Sequence, residues 1–93
     1  VALHELTQDL PAYLRECGYQ VIETKTVPGN ITTKPHSHDF SVRALILAGD
    51  ITLTYEGQTR TFRPGEIFEM TAGCIHHEQY GPNGRRYLFG RKS

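Results

Sequence analysis

The spacing of apolar residues changes near residue 19 of the chain. Before that point, four side chains recur at the spacing of a helix face: Leu10, Tyr13, Leu14 and Cys17. Asp9 is positioned as the N-cap, Pro11 lies just inside, and Gly18 follows the last apolar residue. The pattern predicts one short helix that covers one side of a larger unit and is not a domain by itself.

From residue 19 onward, apolar and polar positions alternate in short runs that are separated by Gly- and Pro-containing turns. Turns repeated every 8–12 residues or so are typical of an all-β sandwich or barrel. Glu56-Gly57 predicts a tight antiparallel hairpin. Closing the strands on themselves buries more apolar surface than an open sheet, so we expect a double-sheet antiparallel β-barrel with a pocket inside. The strands are predicted at residues 20–27, 31–36, 42–48, 51–55, 58–62, 66–70, 75–80 and 85–90, with core side chains at Phe40, Leu45, Leu47, Leu53, Phe62, Phe68 and Leu88.

The length and charge of the chain limit what it can do. With 93 residues, 10 Lys+Arg and 10 Asp+Glu, we expect one domain over 1–93, divided into a helical segment (1–18) and a barrel (19–93). A balanced charge argues against nucleic acid or a membrane surface as the main partner. The basic cluster Arg85-Arg86 with Arg91-Lys92 is expected to be solvated.

The cysteine content and the absence of long apolar runs indicate where in the cell the protein is expected. Two cysteines, Cys17 and Cys74, are too few for the disulfide framework of small secreted domains. The chain has no apolar run of the roughly 20 residues needed to span a bilayer and no signal-like N-terminal segment. We therefore expect a cytoplasmic protein.

Three histidines are the best candidates for chemistry. His36 and His38 are two residues apart, so in an extended segment both side chains leave the same face. His76 comes from a later strand and would join them only inside a closed sheet. The three imidazoles could then bind one metal ion. The alternative is that these histidines are exposed or only hydrogen-bonded.

Two stretches of the chain resemble the two conserved motifs of the cupin superfamily. The first is GNITTKPHSHDFSVRALILAG, residues 29–49, and the second is GQTRTFRPGEIFEMTAGCIH, residues 57–76. The resemblance implies a double-sheet β-barrel with a pocket metal held by His36, His38 and His76. It also implies that a protein of this size forms a homodimer. Neutral imidazole ligands suit Zn, Ni, Fe, Co or Cu, and the sequence does not choose among these ions.

The chain departs from the cupin pattern at three positions. Most metal-binding cupins have a glutamate ligand five residues after the second histidine, where this chain has Arg43, and a guanidinium cannot ligate a metal. Tyr80 stands in place of an asparagine and Thr71 in place of a proline. We expect Glu78, on the inward face with His76, either to pair with Arg43 or to replace the missing carboxylate ligand. A metal-free pocket is the alternative.

Two classes of function follow from these residues. The first is a binding module in which the metal and Arg43, Glu78 and Tyr80 hold a small molecule, and a carboxylate would suit the Arg43 guanidinium. The second is a metal-dependent cupin enzyme of the dioxygenase, isomerase or decarboxylase type that acts on a small carboxylate. The missing glutamate favours the binding module.

Overall fold

One helix and five strands form the part of the chain that this computed structural model describes, residues 3–92, with the backbone alone at residues 3–9, 21 and 22. Residues 1, 2 and 93, which the predicted domain includes, lie outside that part. The elements are α1 (Leu3–Glu16), β1 (Gln20–Val27), β2 (Ser41–Tyr55), β3 (Gln58–Phe62), β4 (Ile67–Met70) and β5 (His76–Lys92).

The two longest strands, β2 and β5, form the antiparallel centre of the fold. The strand order is β1-β5-β2-β3, and β4 pairs with β2. The first half of β2 pairs with β4 and with the end of β5, whereas its second half pairs with β3 and with the start of β5. The register shifts between Ile46 and Ala48 and again between Gly49 and Ile51. Strands that bend in this way take part in two packed layers, which confirms the predicted all-β barrel with one helix.

Two of the predicted turns are bends within continuous strands, so the predicted number of strands is wrong. Residues 42–48 and 51–55 belong to one strand, β2, and residues 75–80 and 85–90 belong to β5. Gly49, at φ 74°, lies directly against the backbone of Gly84, and this close approach keeps both strands paired through the bend. The predicted strand over 31–36 contributes only two isolated bridges, one of them between His36 and His76.

The helix is longer than its sequence pattern predicts. It begins at Leu3, so Asp9 is inside it and is not its N-cap, and Pro11 lies in its interior. It ends as predicted before Gly18, whose φ of 88° lets the amides of Gly18 and Tyr19 bond back to the carbonyls of the last turn. No helix in the described residues is long and apolar enough to cross a membrane.

The apolar side chains form two clusters on opposite sides of the central strands. The larger lines the barrel interior and includes Leu53, Phe62 and Phe68. The smaller holds the helix against the outside of the sheet through Leu10, Leu14, Tyr19, Leu45 and Leu88. Of the predicted core side chains, Phe40 and Leu47 are half-buried and the others are buried.

Candidate metal centre and cavity

Three histidines converge at one end of the barrel interior. The ring centroids of His36, His38 and His76 lie 4.5–5.4 Å apart. One ring nitrogen from each lies within 4.8 Å of the others, close enough for side-chain rotation to bring all three onto one ion. The structure therefore brings together the three residues that the sequence predicts as metal ligands.

Backbone pairing is what brings these side chains together. The amides and carbonyls of His36 and His76 exchange two hydrogen bonds of 2.9 Å, so the two residues sit opposite each other. The His38 carbonyl accepts a bond of 2.8 Å from the Gly73 amide, in the turn that precedes β5. The segment before β2 and the start of β5 thus hold each other in register.

Hydrogen bonds to the backbone orient two of the rings. His36 Nδ1 lies 2.7 Å from the carbonyl oxygen of Lys34, and His76 Nδ1 lies 3.0 Å from that of Cys74. Because a carbonyl only accepts, we assign the proton of each neutral ring to Nδ1, which leaves the Nε2 lone pair free to bind a metal ion. Metal-binding histidines in proteins usually have such a partner for their second nitrogen.

His38 is held by stacking and is biased towards its neutral form. Its ring stacks on Phe40 at 4.9 Å with an interplanar angle of 15°. Burial lowers the pKa of His38, and repulsion from His36 and His76 lowers that pKa further. A neutral imidazole is the form that binds a metal ion, so this environment favours the ligating state near neutral pH.

The histidines open onto a cavity of about 310 Å³ in the barrel. Glu78 and Tyr80, predicted to point inward from β5, both line it, and burial raises the pKa of the Tyr80 hydroxyl. Its apolar wall is formed by Val27, Phe40, Val42, Leu53, Phe68, Met70, Tyr87 and Phe89. The cavity therefore combines an imidazole cluster and several charged side chains with one apolar, partly aromatic wall.

Arg43 does not face this cavity, and the predicted pairing of Arg43 with Glu78 is wrong. Alternate residues of a strand point to opposite faces. Val42 lines the cavity, so Arg43 points to the other side of the sheet. There its Nε donates to Glu69 at 3.0 Å, its guanidinium lies 5.3 Å from the Tyr19 ring, and the bond to Glu69 raises the pKa of Arg43.

Changing Arg43 is therefore expected to affect the packing of the helix side and not the cavity. Arg43→Ala should lower the free energy of unfolding by about 1 kcal/mol, because it removes a partly shielded ion pair and packing against Tyr19. Arg63→Ala is the control, since Arg63 is exposed and its side chain has no ion pair or aromatic contact with the described residues; it should change stability by less than about 0.5 kcal/mol. Urea denaturation measures both variants, and a cost for Arg63→Ala equal to that for Arg43→Ala would contradict this assignment.

The most deeply buried cation that lines the cavity, among the described residues, is Arg85, which the sequence analysis placed in a solvated cluster. Arg85 is 5% exposed and lines the cavity. Its Nη2 lies 3.1 Å from Glu78 Oε1, while Glu78 Oε2 lies 3.6 Å from His36 Nε2. The alternation of β5 was the available signal, because it puts Arg85 on the face of Tyr87 and Phe89.

Comparison with known proteins supports the fold and identifies the family. Residues 18–89 match the family model of the AraC-like ligand binding domain. No curated protein matches the chain. A protein of unknown function from Rhizobium leguminosarum is similar in structure, with a TM-score of 0.71 and 18% identity over 76% of this chain and 67% of that one.

Two further solved structures have the same fold. A cupin-2 domain protein from Shewanella frigidimarina superposes with a TM-score of 0.64 at 16% identity, over 77% of this chain and 69% of its own. The DMSP lyase DddQ from Ruegeria pomeroyi superposes with a TM-score of 0.66 at 21% identity, over 75% of this chain but 36% of its own. At these identities the likeness concerns the fold alone. With the family model covering residues 18–89, the chain belongs to the AraC-like ligand binding domain family, within the cupin superfamily.

Proposed function

We propose that this domain is a small-molecule binding module that holds a divalent transition metal ion through His36, His38 and His76. The observation that carries the proposal is the convergence of one ring nitrogen from each histidine within 4.8 Å at the cavity. The hydrogen bonds from Nδ1 of His36 and His76 to backbone carbonyls support it, since they leave Nε2 for the ion.

The donor set fits a transition metal ion. Three neutral imidazoles suit Zn, Ni, Fe, Co or Cu, whereas Mg and Ca prefer oxygen ligands. A bound ion would act as a Lewis acid and attract an electron-rich group of the small molecule. Sites with three protein ligands typically keep a position for water or a ligand.

The cavity is the proposed place for the small molecule. Its volume of about 310 Å³ and its apolar wall suit a compact organic compound, and Tyr80 is a proposed contact through its hydroxyl. Glu78 is proposed to hold Arg85 in place, since Glu78 Oε1 lies 3.1 Å from Arg85 Nη2. The family to which residues 18–89 belong is described as ligand-binding, which supports the same conclusion.

Removing one imidazole is expected to weaken metal binding strongly. Protein purified without added metal, then titrated with Zn²⁺ or Ni²⁺ by isothermal calorimetry, should bind one ion per chain. His36→Ala and His76→Ala should each weaken that binding by at least about 100-fold, more than the 10–100-fold typical of changes to residues around the ligands. His77→Ala is the matched control, because His77 follows His76 on the other face of β5 and does not line the cavity.

Two results would contradict the metal proposal. One is a wild-type protein that binds neither ion when titrated. The other is a folded His76→Ala variant that binds Zn²⁺ as tightly as His77→Ala does.

The homodimer and the cytoplasmic location expected from the sequence stay predictions. The exposed apolar side chains Tyr13, Ile67 and Ile75 would be available to a second copy. Analytical ultracentrifugation across a range of protein concentrations measures whether the chain self-associates.

A further inference from the structure

The most unusual group in the barrel is the guanidinium of Arg85. Its side chain is 5% exposed, yet Nε and Nη1 have no hydrogen-bond partner among the described residues. An unpartnered N–H of a buried charged group raises the free energy of the folded state, so native proteins rarely leave one without an acceptor. Arg85 lines the cavity, so a bound molecule can supply that acceptor once the side chains that cover Nε and Nη1 move aside.

The contacts of the Arg85 guanidinium hold it in position but leave some of its N–H donors without an acceptor. The guanidinium lies against Tyr87, 4.0 Å from the ring centroid, and 4.7 Å from that of Tyr80. Contacts with ring faces hold the guanidinium plane in place but provide no oxygen for its N–H groups. Glu78 forms an ion pair with Nη2, one of the three nitrogens that carry the five N–H donors. The guanidinium of Arg85 is thus fixed in orientation and still has N–H groups without an acceptor.

The charge of the cavity favours an anion. Lys25, Arg85 and Arg91 line it together with two carboxylates, those of Glu23 and Glu78, so cations outnumber anions by one. Arg91 Nε is also buried and has no hydrogen-bond partner in the described part of the chain. A metal ion held by the histidines would increase the positive charge further.

We infer that Arg85 is the anchor for the carboxylate of a small organic acid whose apolar body lies against the aromatic wall of the cavity. This inference deepens the proposed function by naming the class of ligand, and it rests on that function for the site. A carboxylate matches the donors of a guanidinium in geometry and charge. The apolar wall suits an aliphatic or aromatic body better than a sugar or a phosphate.

The position of Arg85 also relates the acid to the metal centre. The carboxylate of Glu78 lies between Arg85 and the imidazole cluster, since Glu78 Oε1 faces Arg85 and Glu78 Oε2 faces His36. An acid bound at Arg85 therefore lies beside the imidazole cluster. Glu78 repels the acid, so removing its charge should strengthen binding.

Four probes separate the charge of the ligand from its apolar body. Benzoate carries both, benzamide has the same shape without the charge, and acetate has the charge without the body. Each is titrated by calorimetry into metal-free protein and into protein loaded with Zn²⁺, with hexanoate as an aliphatic acid. We expect benzoate or hexanoate to bind metal-free protein, and benzamide and acetate to bind at least about tenfold more weakly.

The variants isolate Arg85 from the stability of the barrel. Glu78→Gln should bind benzoate more tightly than wild type, and Glu78→Gln/Arg85→Met should lose at least about tenfold of that affinity. These two variants differ only at Arg85. Glu78→Gln leaves the buried guanidinium without its carboxylate partner, so thermal unfolding first establishes that both variants are folded. Arg86→Met, at the neighbouring exposed position, should bind benzoate as wild type does.

The inference is overturned if none of the acids binds the folded protein, if benzamide binds as tightly as benzoate, or if affinity is the same with and without Arg85. Zn²⁺ titration of the same proteins keeps this test separate from the metal proposal. Arg85→Met in the Glu78→Gln background should leave Zn²⁺ affinity unchanged. Acid binding that depends on Arg85 in a protein that binds no metal would support the inference while the metal proposal fails.

Discussion

Replacing Gly49 with alanine is expected to lower the free energy of unfolding by about 3–5 kcal/mol, through a steric clash and backbone strain together. Gly49 lies at the bend of β2, and a Cβ there would overlap the Gly84 carbonyl oxygen, which is backbone and cannot rotate away. Its φ of 74° also disfavours any residue with a Cβ. Such a loss is a large part of the 5–15 kcal/mol or so that stabilises a typical domain.

Gly57→Ala is the matched control for this prediction. Gly57 has the same φ of 74°, but a Cβ there would meet nothing within 4 Å. Its cost should be about 1–2 kcal/mol, the strain of positive φ alone. Urea denaturation of both variants measures the difference, and equal losses would show that the contact between the two bends contributes nothing.

Replacing Arg85 with methionine is expected to cost about 3–5 kcal/mol, although methionine fills much of the same space. Glu78 is 13% exposed, and its carboxylate would lose the Arg85 guanidinium as its partner. The cost therefore arises chiefly from the stranded carboxylate and less from the lost guanidinium. Arg86→Met, on the exposed face of β5, should cost less than about 0.5 kcal/mol.

A second substitution at Glu78 tests this explanation. Glu78→Gln/Arg85→Met removes both charges and should recover stability to within about 1–2 kcal/mol of wild type. A double-mutant cycle from thermal or urea unfolding gives the coupling energy between the two side chains. If the double variant is no more stable than Arg85→Met alone, the stranded charge is not the cause.

Local pattern predicted the fold class and made the histidines candidates, and the resemblance to the cupin motifs then indicated that the three form one cluster. His36 and His38 share a face because they are two residues apart in extended chain, and the turn at Gly73 returns the backbone to His76. Glu78 and Tyr80 follow His76 at even spacing, so they line the same cavity. In each case a period of two is enough, since neighbours along one strand determine the face.

Arg43 and Arg85 show where local pattern was insufficient. Predicting whether Arg43 shares a face with His38 required knowing that the backbone turns between the histidine segment and β2. An error of one residue in the alternation places a side chain on the opposite face of the sheet. Arg85 follows Gly81-Pro82-Asn83-Gly84, which is typical of a turn and is a bend in this protein. Because residues 81–84 were interpreted as a turn between two strands, the Arg85-Arg86 pair that follows was predicted to be solvated.

The sequence by itself predicted an all-β barrel with a short helix, because alternation and turn residues act over a few positions. Its resemblance to the cupin motifs indicated which three imidazoles share the interior. Only the tertiary structure decided which arginine enters the barrel. That choice depends on the packing of Gly49 against Gly84, on the pairing of β2 with β5, and on Glu78 and Tyr87 as partners for a buried cation. Most of these contacts join residues more than twenty positions apart, as between β2 and β5, or lie across the bend of β5, as between Glu78 and Arg85. Of the partners named, only Tyr87 is related to Arg85 by the local period of a strand.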